Sequence, residues 1–166
     1  MTQKELQRRA SQIGGAEATN QHLTIFSGIE LDRFLSVRDR ISVEEAKRQA
    51  GIPPGAPVVG KIARLFPLKG HEQFLAAARE IARRMPNVYF MLVGDGPLRD
   101  QVIADAERAG LGNRLVLTGR VPPEAVPQYI QAMDVVVHTS LREGIARVLP
   151  QVTQGHKDMF GERLSE

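Results

Sequence analysis

Arg64 and Lys69 stand on either side of Leu65-Phe66-Pro67-Leu68, directly after the apolar run Val58-Val59-Gly60-Lys61-Ile62-Ala63. A short apolar run entered through Ile52-Pro53-Pro54-Gly55-Ala56-Pro57 reads as a strand buried on both faces of a parallel sheet. Leu65 to Gly70 then reads as a strand-to-helix loop. In open α/β sheets ligands sit outside the carboxyl ends of the strands, so both cations would face that crevice. A guanidinium fork and a mobile ammonium together suit a diphosphate. The same spacing also fits a solvated basic loop.

A second polar cluster is His138-Thr139-Ser140-Leu141-Arg142-Glu143-Gly144, which leads into a helix start at Ala146–Gln151. Unpaired amides at a helix start favour phosphate oxygens. Glu143 could accept sugar hydroxyl protons, and Gln151, about two helical turns on, could reach a ribose. A capped helix with an exposed Glu accounts for the same residues. Gly94-Asp95-Gly96-Pro97 is half of a dinucleotide fingerprint, but Arg99 occupies the third glycine position, so the pattern reads first as a tight strand-to-helix turn whose amides could meet a ligand. The chain has no P-loop order, Gly-x-Ser-x-Gly elbow, His-Glu-x-x-His helix or Asp-x-Asp pair. Its four histidines have no ligand spacing, so no metal site is expected.

The elements that would position these residues alternate. Strands are expected at Val58–Ala63, Val88–Val93, Leu115–Thr118 and Asp134–His138, with helices over Gly70–Met85, Pro97–Ala109 and Pro123–Met133. In the first helix Phe74, Leu75, Ala78, Ile81, Ala82 and Met85 form one stripe, with Arg79, Arg83 and Arg84 outside it. Leu98, Val102, Ala106 and Ala109 face inward on the next. A capping-box pattern at Ser42-Val43-Glu44-Glu45 opens a short helix that stops at Gly51. Upstream, Lys4–Ile13 can form a helix and Leu23–Phe26 a strand. This order implies an α/β fold with a parallel sheet covered on both sides.

At 166 residues the chain is long enough for one domain with a core. A formal charge of +3, six Phe, two Tyr and no Trp argue against a nucleic-acid binder. With no Cys there are no disulfides or thiolate sites, and no apolar stretch reaches membrane-spanning length. The reading is a cytoplasmic protein, either free or peripheral at the inner membrane surface.

Taken in order, Ser27-Gly28-Ile29-Glu30…Phe34, Val59 to Leu65 with Lys69-Gly70, Leu92 to Pro97, Leu117 to Val121, and Asp134…Ser140…Glu143-Gly144 resemble the C-terminal half of a group 1 (family 4) retaining glycosyltransferase of the GT-B fold. The resemblance implies a Rossmann-like donor-binding domain of about four parallel strands, used in carbohydrate biosynthesis. It implies a nucleotide-diphosphate sugar as donor substrate, with no metal or other cofactor. Arg64 and Lys69 match the pair that neutralises the diphosphate, and Glu143 the first Glu of an E-x7-E motif that contacts the sugar, which makes these three the catalytic candidates. Ala146, Arg147 and Val148 match the amides beneath the phosphates, and Gly119, Arg120 and Val121 the loop beside the base. Gly94, Asp95, Ser140 and Gly144 complete the candidate substrate contacts with Gln151, which replaces the usual second carboxylate and would bond ribose more weakly.

By that resemblance residues 1–35 read as the tail of an N-terminal domain, 36–151 as the donor-binding domain, and 152–166 as an atypical polar tail. The expectation is a truncated remnant, incomplete relative to the family, that binds its donor weakly and transfers little alone. A nucleotide-sugar epimerase on the same fold, and a non-enzymatic remnant that binds nucleotide or self-associates, remain the competing readings. Partners would be the donor, an acceptor of unassigned chemistry, and either a second copy along the Asp134–His138 edge strand or a separate N-terminal domain.

Overall fold

The computed structural model describes residues 40–142 of the 166-residue chain. The elements run α1 (Val43–Gln49), β1 (Val58–Ile62), α2 (His71–Arg84), β2 (Tyr89–Val93), α3 (Arg99–Arg108), β3 (Leu115–Gly119), α4 (Val126–Gln131) and β4 (Val135–Val136). The strands form one parallel sheet in the order β3-β2-β1-β4. The expected helix at Lys4–Ile13, strand at Leu23–Phe26 and helix start at Ala146 lie outside the described residues. No helix among the described residues is long and apolar enough to cross a membrane.

Strand β2 shows why its sequence lacks polar alternation. Phe90 and Leu92 enter a core with Phe74, Leu75 and Ala78 of α2 and Val102 and Ala106 of α3. Met91 and Val93 enter a second core on the opposite face with Ala46 of α1, Ala132 and Met133. Apolar side chains are therefore required at every position of the strand. The first core is fixed by an edge-to-face pair, Phe74 against Phe90, with centroids 6.3 Å apart.

Helix ends follow the local signals. Ser42 Oγ accepts from the Glu45 amide at 3.1 Å. Gly51 (φ 75°) ends α1 in a Schellman motif, with the Gly51 amide on Arg48 and the Ile52 amide on Lys47. Gly110 and Leu111 end α3 in the same way, through Glu107 and Ala106.

Four boundaries differ from expectation. Helix α3 begins at Arg99 rather than Pro97, because Leu98 is its N-cap. Helix α4 shrinks to Val126–Gln131, since Pro122–Ala125 is spent on a turn and Pro127 sits where no amide bond is needed. Strand β4 is only Val135–Val136, although the Asp134 and Val137 amides still donate to Val58 and Gly60. Met85 is 46% exposed rather than inward, because the backbone leaves the helical region there (φ −126°, ψ 90°).

At the amino end of β1, Lys47 is buried and pairs with Asp134 at 3.0 Å. Asp134 also accepts the Val58 amide at 2.7 Å, tying α1, β1 and β4 together.

At the carboxyl end, Lys61 is 1% exposed. Its Nζ donates to the Lys69 carbonyl at 2.6 Å and to the Thr139 hydroxyl, which donates on to the Gly70 carbonyl at 2.6 Å. His71 Nε2 lies 3.2 Å from the Arg64 carbonyl, so Nε2 carries the proton. Burial holds the His71 pKa below its ordinary 6.5, aided by Lys61 and Lys69 and opposed by the Arg64 hydrogen bond.

Two predictions follow from these contacts. Asp134→Ala strands a buried ammonium and a strand amide, and should lower stability by about 2 kcal/mol; a urea midpoint matching wild type would contradict this. For His71, the native state resists a proton that the unfolded chain takes up. Its stabilising contribution is complete above the ordinary 6.5 and is lost as pH falls below it. His71→Gln keeps a donor but cannot titrate, so the fall in urea midpoint between about pH 7.5 and 5.5 should be shallower than in wild type; equal slopes would contradict the assignment.

Candidate functional site

The strand order places β2 and β4 on opposite sides of β1, so the chain reverses its direction of growth across the sheet between β1 and β4. Ligand crevices in open α/β sheets form at such a switch point, outside the carboxyl ends of the strands. A pocket of about 660 Å³ opens at that end. Its walls come from Ile62–Arg64 at the end of β1, Val93–Gly96 at the end of β2, Arg120 and Val121 after β3, and Val126 of α4.

Two loops form the pocket's inner rim by direct backbone contact. The Leu65 amide donates to the Asp95 carbonyl at 2.9 Å, and the Leu98 amide donates to the Leu65 carbonyl at 3.1 Å. This approach explains both glycines of Gly94-Asp95-Gly96. A Cβ at Gly94 (φ 142°) would overlap the Ala63 carbonyl, and one at Gly96 the Leu65 carbonyl. The tight-turn reading of this segment is thus correct, and the missing third glycine has no bearing on it.

Among the residues singled out from the sequence, Arg64, Gly94, Asp95, Arg120 and Val121 share the pocket. Arg64 is exposed, with its guanidinium carbon 4.9 Å from the centroid of Phe66. A cation over an aromatic face keeps its charge available to solvent while limiting its rotamers. Asp95 Oδ1 accepts the Gly96 amide at 2.9 Å and lies 3.9 Å from Arg99. Gly119 (φ 72°) bridges to Gly94 at the ends of β2 and β3.

Lys69 and Ser140 do not line this pocket. Lys69 is half-buried at the far end of the Arg64 loop, and the Ser140 hydroxyl is buried without a hydrogen-bond partner among the described residues. Glu143, Gly144, Ala146, Arg147, Val148 and Gln151 lie outside the described residues. No group of three His, Asp or Glu side chains among the described residues is arranged to hold a metal ion.

Sequence reading gave no role to Lys61 or His71 and named Thr139 only within the polar cluster His138 to Gly144. The one available signal was Lys61 itself, a charge inside a run that otherwise reads as buried on both faces, where it must find partners.

Comparison with known proteins agrees with this geometry. The family model described as glycosyl transferases group 1 matches residues 42–151. A 2-deoxystreptamine N-acetyl-D-glucosaminyltransferase of Streptomyces fradiae is 41% identical over 106 residues, which are 63% of this chain and 25% of that protein. A 2-deoxystreptamine glucosyltransferase of Streptomyces kanamyceticus is 36% identical over 102 residues, 61% of this chain and 26% of that protein. The chain therefore spans about a quarter of the length of these curated relatives. Among solved structures, Anabaena Alr3699/HepE in complex with UDP-glucose superposes with a TM-score of 0.67 at 28% identity, over 92% of this chain and 41% of that one. With its parallel Rossmann-like sheet and a family match over most of its length, the chain belongs to the group 1 glycosyltransferases.

Proposed function

We propose that this domain binds the nucleotide-diphosphate sugar of a retaining hexosyl transfer in the pocket bounded by Arg64, Gly94–Gly96 and Arg120–Val121. The observation that carries the reading is a cation, close-packed backbone and a half-buried apolar residue meeting in one pocket at the carboxyl ends of parallel strands. The UDP-glucose bound to the Anabaena neighbour supports it.

In this reading Val121 and the Arg120 backbone flank the base, and Arg64 and Lys69 meet the diphosphate. Asp95 carries a negative charge, so its role is to accept from hydroxyls rather than to approach phosphate. Glu143 contacts the sugar, the amides of Ala146, Arg147 and Val148 meet the phosphates, Gln151 bonds the ribose, Gly119 shares the loop beside the base, and Ser140 and Gly144 are further substrate contacts. During transfer the C1–O bond to the β-phosphate breaks and its electron pair passes to the phosphate oxygen. The acceptor oxygen bonds C1 on the same face, and its proton leaves to that phosphate. Arg64 and Lys69 stabilise the charge growing on the leaving diphosphate. No metal ion or other cofactor is assigned to the step.

We assign the 166-residue chain donor binding with little transfer of its own. The described residues supply one wall of a site, and positioning an acceptor is worth about 7–11 kcal/mol of barrier.

Calorimetry with UDP-, GDP- and ADP-sugars should find one that binds. Arg64→Ala and Lys69→Ala should each weaken it about ten- to a hundredfold, the scale of hydrogen bonds to charged groups; equal binding by wild type and both variants would refute the site. In single-turnover assays of the purified chain, efficient glycoside formation would refute the assignment of binding without transfer.

A further inference from the structure

The loop that carries Arg64 and Lys69 is pinned through its own backbone by buried groups of β1 and α2 and by a half-buried hydroxyl after β4. His71, at the start of α2 and 6% exposed, donates to the Arg64 carbonyl. Lys61 of β1 donates to the Lys69 carbonyl, and Thr139, beyond β4, donates to the Gly70 carbonyl. The Leu141 amide takes the Leu68 carbonyl at 2.8 Å. Leu68 itself has φ 66°, a left-handed conformation that Leu rarely adopts and that persists only when its surroundings impose it. Gly70 lies so close to the Thr139 backbone that a Cβ would overlap the Thr139 carbonyl.

A loop that only joins a strand to a helix has no need of a buried ammonium, whose desolvation is costly. The same contacts lock the segment after β1 to the segment after β4, across the point where the strand order turns. We propose that Lys61, acting with Thr139 and His71, is a positioning residue that fixes the separation of Arg64 and Lys69 to suit a diphosphate, through the loop carbonyls rather than by touching the ligand. This rests on the donor-binding reading above and names the device behind it. The cost of burying Lys61 is then met by a loop geometry that the ligand does not have to impose on binding. Burial favours the neutral state of His71, which still donates to the Arg64 carbonyl through Nε2 and adds no charge beside Lys61 and Lys69.

The test separates the diphosphate from the base. The full chain and its Lys61→Met, Thr139→Val, His71→Leu and His71→Gln variants are titrated with the pairs uridine and UDP, guanosine and GDP, and adenosine and ADP. In the pair that wild type prefers, Lys61→Met and Thr139→Val should each reduce nucleoside diphosphate affinity about tenfold, the scale of one charge-assisted hydrogen bond, and leave the nucleoside unchanged. His71→Leu should behave like them, while His71→Gln, which retains a donor for the Arg64 carbonyl, should restore the preference for the diphosphate. A general loss of structure would lower both members of the pair together, and that result overturns the proposal. Should Lys61→Met not fold, the near-isosteric Thr139→Val and the His71 pair decide the matter. If Arg64→Ala weakens diphosphate binding while these variants keep the wild-type ratio, the positioning role falls and the donor site stands. If no nucleotide binds wild type, the donor site falls and the positioning role with it.

Discussion

Parallel strands β1 and β2 must release their crossover chains at the same end of the sheet, and here the two departing loops bond directly to one another. The Leu65 amide and carbonyl are both used in this contact, one toward Asp95 and the other toward Leu98. No side chain fits between the loops, which is why glycine stands at positions 94 and 96. The part of the pocket rim that follows β1 and β2 takes its position from this contact. Arg64 and Asp95 immediately flank it, and Gly119 reaches it through Gly94.

Buried lysines act at both ends of β1, in different ways. Lys47 at the amino end meets a carboxylate, Asp134, that also serves a strand amide, so the charge is neutralised where only architecture is at stake. Lys61 at the carboxyl end donates to a carbonyl and a hydroxyl, which orients the neighbouring backbone.

Much of this was legible in the sequence, for reasons that can be named. Strand β2 has apolar residues at every position because both faces are covered, and Gly51 and Gly110 mark helix ends by occupying left-handed positions. Arg64 and Asp95 were legible because loops after buried strands in this topology lead to one place. The anchors were not. His71 resembles a surface residue at a helix start, and Thr139 an ordinary strand end; what makes them structural is a carbonyl distant in the fold, which no local pattern encodes. Met85 misled because helical periodicity continues in the sequence after the backbone has left the helix.

The central claim is that the pocket at the carboxyl ends of β1, β2 and β3 receives a nucleoside diphosphate with Arg64 at its phosphate end. The most direct measurement is a residue-resolved amide NMR titration of the chain with a bound nucleoside diphosphate such as UDP. The account predicts that the largest shifts fall at Ala63–Leu65, Gly94–Gly96 and Gly119–Val121, which converge from three strands. Shifts confined instead to the separate groove between Gly70–Gln73 and Leu98–Val102 would contradict it.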